Sequence, residues 1–293
     1  MADRWSPEIM TLTAKRFFST ESVRSNLSIE CAFFSSLKMR NGTFKLTRPS
    51  RFAALETMLG PIVRSRPADF RDVLDIGVST GLTTAELAGF LESQGAAAHV
   101  VGTDLFIEAH LVDLMPGFRV LADPGGWPLQ YDLAGFGLRA WVRRLDYVTL
   151  AALPRLFART LLQPQLRRRI ANGEAEHVRM ESRALAGRDI ELVENDIFQR
   201  EPRFERRFDL IRAANILNRG YFGEDRLQAA IANIRAYCRG PGALLLVVRS
   251  GGEQHDGTLF QLGEGGGFDV RARIGRGSEI EAMITGGTAT QKI

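Results

Sequence analysis

The segment VLDIG at Val73–Gly77, followed at once by STG, constrains this chain more than any other stretch. A short apolar run ending in glycine reads as a buried strand. Gly77 and Gly81 let the backbone turn sharply into a helix whose inner side carries Leu82, Leu87, Phe90 and Leu91. A second apolar run, HVVGTDLF at His99–Phe106, places Asp104 29 residues after Asp75. Later come IELVEND (Ile190–Asp196), FDLIRAANIL (Phe208–Leu217), a helical pattern over Glu224–Arg239, and ALLLVV (Ala243–Val248). Thr258–Leu262 and Phe268–Ile274, joined through a glycine run, predict a closing antiparallel hairpin. Buried strands alternating with helices imply an α/β fold, a seven-stranded, mostly parallel sheet covered by helices on both faces.

One interval breaks this rhythm. After Asp104 the next core strand begins only near Ile190, far beyond what a simple crossover needs. The interval holds a predicted hairpin at Phe118–Leu133, turning on Pro124, Gly125 and Gly126, and then an arginine-rich helical stretch. Ahead of the core, short helices are expected at Pro7–Phe18 and Ser28–Leu37, and a longer one at Arg51–Arg64. The expected organisation is an N-terminal helical extension or cap (1–70), a core (71–105 and 190–293), and an inserted lid or substrate-binding segment (106–189).

The net charge of +4 conceals a concentration. Between Phe136 and Ile170 there are eight arginines and one acid, Asp146, while the remainder is slightly acidic. A nucleic-acid binder spreads its basic residues over a broad face, so nucleic acid is not the expected partner. Leu138, Trp141, Val142, Leu145 and Val148 recur at helical spacing with Arg139, Arg143 and Arg144 between them. That pattern predicts a cationic amphipathic helix, suited to peripheral contact with anionic lipid through 136–170 or to a long-chain acid. A lid with water-facing arginines fits the same pattern. Pro154 and Pro164 are expected to split the segment.

At 293 residues and 45% hydrophobic, the chain can build a core without staples. Two cysteines, Cys31 and Cys238, offer no disulfide framework, and four histidines (His99, His110, His177, His255) form no metal pattern. No metal is therefore expected. With no apolar run of about 18 residues and no secretory pattern, a cytoplasmic protein is expected.

Ligands of open α/β sheets bind beyond the carboxyl ends of the strands, and an acid ending strand two can accept both hydroxyls of a ribose. An adenosine-containing ligand follows. The spacing G-x-S-x-G fails the dinucleotide fingerprint, and no P-loop lysine is present. The series D-I-G-V-S-T-G (Asp75–Gly81), Asp104, ENDIF (Glu194–Phe198), FDLIRAANIL and PGALLLVV resembles the class I S-adenosylmethionine-dependent methyltransferases, over roughly Val73–Ile274 apart from the insertion. The resemblance implies a Rossmann-like fold and S-adenosylmethionine as cofactor. It sets Asp75 and Gly77 beside the methionine part, with Ser79, Thr80 and Gly81 completing the turn. Asp104, followed by Leu105, falls on the ribose. Asn195, Asp196 and Ile197 fall at the adenine, the acid accepting from its amino group. Ser79 stands where that family has glycine and makes the loop stiffer.

Methyl transfer from a sulfonium needs positioning and desolvation, and a general base only where the acceptor must lose a proton. Asn215, after strand four, could hold the acceptor or the cofactor's amino-acid end, and an Asx cap fits it equally. His255, in the loop after strand five, is placed for a base, and Tyr221 stands just beyond Asn218 and Arg219. Glu279 and Glu281 could bind a cationic acceptor, although a charged surface explains them better. The leading reading is a methyltransferase for a small-molecule acceptor, anionic or amphiphilic, in a chain that could form an oligomer. STG together with NILNRGYF also resembles the chemoreceptor glutamate methyltransferases, whose separate helical domain and different inserted β-subdomain are not evident in the sequence. A non-catalytic cofactor-binding regulator or partner subunit is the remaining reading.

Overall fold

The computed structural model describes residues 11–46, 48–141, 152–251 and 254–286. In chain order its helices are α1 (Ala14–Ser19), α2 (Glu21–Arg24), α3 (Leu27–Ser36), α4 (Ala53–Ser65), α5 (Leu82–Ser93), α6 (Ala152–Ala171), α7 (Glu224–Tyr237) and α8 (Glu281–Thr285). The strands are β1 (Asp72–Ile76), β2 (His99–Asp104), β3 (Glu108–Met115), β4 (Phe118–Ala122), β5 (Pro128–Leu133), β6 (Phe136–Arg139), β7 (Glu176–Arg179), β8 (Ile190–Glu194), β9 (Leu210–Ala214), β10 (Leu244–Gly251), β11 (Gln254–Leu262) and β12 (Phe268–Ile274). The chain forms two compact units, Pro49–Leu105 with Ala184–Ile293, and Met1–Arg48 with Phe106–Arg183.

The first unit is a seven-stranded sheet in the order β12-β11-β10-β9-β1-β2-β8. Its strands from β8 to β10 run parallel. β11 and β12 add the expected antiparallel hairpin. Successive side chains of a strand face opposite sides. Leu74 and Ile76 therefore join the α7 residues Leu227, Ile231 and Ile234 on one face. Val73, with Val100 and Leu246, meets Leu55 and Leu59 of α4 and Leu87 and Leu91 of α5 on the other. The sheet is thus covered on both faces, as a Rossmann-like α/β fold requires. β1 lies between β2 and β9, which makes its carboxyl end the topological switch point where ligands of such sheets bind.

The second unit is a five-stranded antiparallel sheet in the order β6-β5-β4-β3-β7. Phe17, Phe33 and Phe34 of α1 and α3 pack on one face with Leu111, Leu121 and Leu129. Leu166, buried on α6, packs on the other with Val112, Val120 and Tyr131. The N-terminal helices therefore belong with the insertion, and the expected boundary after residue 70 falls between Arg48 and Pro49. The reason is nonlocal, because the inserted sheet has two apolar faces and only one is covered from its own sequence. An inserted β-sheet is present after all, and the helices ahead of the core complete it.

Two expectations about the arginine-rich stretch fail. Phe136–Arg139 is strand β6 and not helix. A tight turn with positive φ at Ala134 and Gly135 returns the chain against β5. Val142, Arg143, Arg144, Leu145 and Val148 lie outside the described residues. Pro154 and Pro164 do not divide the segment, since both lie within α6. Pro154 occupies the first turn, where its missing N–H costs nothing. Pro164 lies deeper, and the Leu162, Leu166 and Ile170 stripe packed on the sheet holds the helix together across it.

Candidate functional site

The glycine turn forms at the carboxyl end of β1. Gly77 N–H donates to the Thr103 carbonyl of the neighbouring β2 at 2.7 Å. Gly77, Ser79 and Gly81 have φ of +77°, +60° and +82°. Two are glycine, the residue that takes this region freely, and Ser79 takes it at a cost. The Ser79 amide donates to Asp104 Oδ2 at 2.8 Å, which holds the acid against the turn. A Cβ at Gly77 would stand 3.2 Å from Ile216, and one at Gly81 2.9 Å from Leu185. The bare backbone thus lets Ile216, in the loop after β9, and Leu185, ahead of β8, close on the turn. Asn195 N–H donates to the Asp104 carbonyl at 3.0 Å, joining the end of β8 to the same corner. Leu105, beside the acid, is 41% exposed. Gly77, Ser79, Gly81, Asp104, Leu105 and Asn195 therefore meet at the switch point.

Other predicted residues turn away. Asp75 is 1% exposed, and its carboxylate accepts from Arg212 at 2.8 and 2.6 Å and from the Thr84 hydroxyl at 2.7 Å. It holds β9 and α5 to β1, and its side chain faces protein where the methionine part was expected. Thr80 is buried as well. Ile197 is 5% exposed and packs in the core with Leu74 and Val101, so its side chain is no adenine wall. Asp196 Oδ1 accepts from the Phe198 amide at 3.1 Å, a local turn bond.

Asn215 and His255 are brought together by a residue that sequence reasoning missed. Asn215, just past β9, has φ +61°, and its Oδ1 accepts from the Ser250 amide at 2.6 Å. Asn215 Nδ2 lies 3.5 Å from Ser250 Oγ, and His255 Nδ1 lies 3.2 Å from the same oxygen. His255 is not in a free loop. It is the second residue of β11 and pairs directly with Ser250 of β10. Nothing in the sequence marks Ser250, which is visible only through that register.

Tyr221 does not join this group. It is 67% exposed, in a turn whose Asn218 side chain accepts its amide at 3.1 Å. Its neighbour Phe222 packs edge-on against Phe198 at 4.8 Å, and Arg226 lies 4.2 Å over the Phe198 ring. Glu279 accepts from the Arg219 amide and from Arg249, each at 2.9 Å. Glu281 is held by Arg273 and Thr258, and the Arg273 guanidinium pulls its carboxyl below the usual range. Both acids are structural. Among the described residues no cluster of His, Cys, Asp or Glu could hold a metal, and no helix is long and apolar enough to cross a membrane.

The strand order and the glycine turn define a doubly wound, Rossmann-like α/β unit, and sheets of this kind bind ligands at their carboxyl edge. No protein-family model and no curated protein matches the chain. Among solved structures it is similar to the citrinin polyketide synthase CMeT domain, at 15% identity and TM-score 0.33, over 67% of this chain and 34% of that one. It is also similar to CalS10, an amino pentose methyltransferase from Micromonospora echinaspora, at 15% and 0.32, over 71% and 62%. A third is the N-methyltransferase NodS from Bradyrhizobium japonicum WM9, at 16% and 0.32, over 70% and 71%. The chain spans a third to three fifths of the first two. The assignment of the fold rests on the strand order above and not on these likenesses.

Proposed function

We propose that the chain is an S-adenosylmethionine-dependent methyltransferase acting on a small acceptor that presents an anionic oxygen. What supports the cofactor is the corner at the switch point. Asp104, held against the turn by the Ser79 amide, would accept from the ribose hydroxyls, and Leu105 would lie along the apolar part of the nucleoside. When bound, the cofactor supplies a methyl group on a positively charged sulfur.

The observation that carries the acceptor is the Asn215–Ser250–His255 chain. The Ser250 amide fixes Asn215 Oδ1, so Nδ2 turns toward Ser250 Oγ and donates to it. The serine proton is then available to His255 Nδ1, leaving the histidine proton on Nε2. A neutral histidine in that form donates from Nε2 and does not accept there. Such a group orients an acceptor that is already ionised, and a carboxylate needs no base.

Binding of S-adenosylhomocysteine, measured by calorimetry in wild type and Asp104→Ala, tests the cofactor. Loss of one or two charge-assisted bonds of about 1.5–3 kcal/mol each should weaken binding more than tenfold in a folded variant. Unchanged affinity would remove Asp104 from the site. Labelled methyl transfer to acids, phenols, amines and thiols tests the acceptor. Ester formation on acids is expected, and transfer only to amines or thiols would overturn the anionic reading.

A further inference from the structure

Helix α6 has two opposed stripes. Leu162, Leu166 and Ile170 pack on the inserted sheet. On another face Thr160, Gln163, Pro164, Arg167, Arg168 and Ala171 recur at i, i+3, i+4, i+7, i+8 and i+11, and with Trp127 they line a groove of about 670 Å³. The β4–β5 turn is wedged against this helix. A Cβ at Gly126, where φ is +78°, would stand 2.7 Å from both the Arg167 nitrogen and the Gln163 carbonyl. Only glycine allows that approach, and the approach sets the adjacent indole beside the two arginines.

Among the described residues the charge in this groove meets no acid. Elsewhere in the unit Arg119 sits on Asp113, Arg179 on Glu181 and Arg183 on Glu21, while Arg169 donates to the Asp113 and Leu114 carbonyls. Among the described residues neither Arg167 nor Arg168 has an acid partner, and no carboxylate lines the groove. Two guanidinium forks, the Trp127 indole at the groove wall and the apolar Pro164 and Ala171 suit one kind of ligand.

We propose that this groove binds an organic anion, a carboxylate or phosphate head held by Arg167 and Arg168 with an apolar or planar body against Trp127. The described lining residues all belong to the inserted unit, and the site does not rest on the methyltransferase reading. The same anionic head occurs free and on a lipid, and the test separates the two.

Calorimetry with sodium 1-naphthoate, beside the neutral 1-naphthylmethanol, is run on the full chain and on an Arg167→Gln/Arg168→Gln variant. Glutamine keeps helix propensity on this exposed face, and circular dichroism checks the fold. Naphthoate should bind wild type in preference to the alcohol and lose roughly tenfold or more in the variant, with added salt narrowing the gap. Co-sedimentation with phosphatidylglycerol vesicles provides the second arm. Vesicle binding that the variant loses assigns the head group to a lipid, and naphthoate binding without vesicle binding assigns it to a free acid. Equal naphthoate affinity in wild type and variant overturns the site, as does binding to neither probe. S-adenosylhomocysteine binding in the same preparations reports separately on the core unit.

Discussion

Arg212 donates to both oxygens of Asp75, at 2.8 and 2.6 Å, from the residue directly opposite it in the parallel β1–β9 register. Both side chains are almost completely buried, and Arg212 also reaches the Thr83 carbonyl at 2.9 Å and lies over the Phe52 ring. The aspartate that opens the glycine motif thus ties together three elements beneath the site.

Asp75→Ala should therefore act on the fold. Removing one partner of a buried pair leaves the other charge uncompensated, at about 3–5 kcal/mol. Denaturant unfolding should show that loss as a lower midpoint with an unchanged slope. An Asp75→Leu/Arg212→Met double variant should recover much of it, because apolar replacement of a whole buried pair is often near neutral. If the double variant folds stably yet no longer binds S-adenosylhomocysteine, Asp75 touches the ligand and the structural role fails.

Glu56 on α4 gives a pH-dependent prediction. Burial pushes its carboxyl above the ordinary value of 4.5, the nearby Glu86 adds to the rise, and Arg212 opposes it. The folded state therefore holds this proton more tightly than the unfolded chain. Stability from this group is lost as pH climbs from 4.5 through the raised value. Glu56→Gln should melt higher than wild type at neutral pH, and the advantage should vanish below pH 4.5. Thermal melts across that range that show no such convergence would remove Glu56 from the balance.

The turn, its acid and the order of the core strands were legible because each leaves a local mark. Gly77 and Gly81 occupy positive φ, and Asp104 ends an apolar run. The inserted sheet was harder to read. β3 buries Leu111 and Val112 on opposite faces, so its sequence lacks the clean alternation of a half-exposed strand. Phe17, Phe33 and Phe34 cover that sheet from about a hundred residues away, a pairing that no local periodicity encodes. Arg212 had a signal that went unused, a lone charge inside the apolar strand FDLIRAANIL. Such a charge needs a partner, and the parallel register supplies Asp75. Ser250 had none, because its role depends on facing His255 across a hairpin.

That hairpin pairing supports the last prediction. Ser250 Oγ stands between Asn215 Nδ2 at 3.5 Å and His255 Nδ1 at 3.2 Å, with the asparagine orientation set by the 2.6 Å bond from the Ser250 amide. Nitrogen-resolved NMR of the neutral imidazole should find the proton of His255 on Nε2. Ser250→Ala removes the donor to Nδ1 and should shift the ring toward a mixture of both forms, whereas Ser250→Thr should keep the wild-type form. For an acid substrate, kcat should fall roughly tenfold in Ser250→Ala with a smaller change in KM, the loss of one hydrogen bond, and the threonine variant should recover it. The pH profile adds a readout that a purely structural serine would not move. A positioning donor gives a rate that does not climb through an imidazole ionisation, while a general base requires that climb. A wild-type proton on Nδ1 together with a rising profile would make His255 a base and return alcohols and ammonium groups to the list of acceptors.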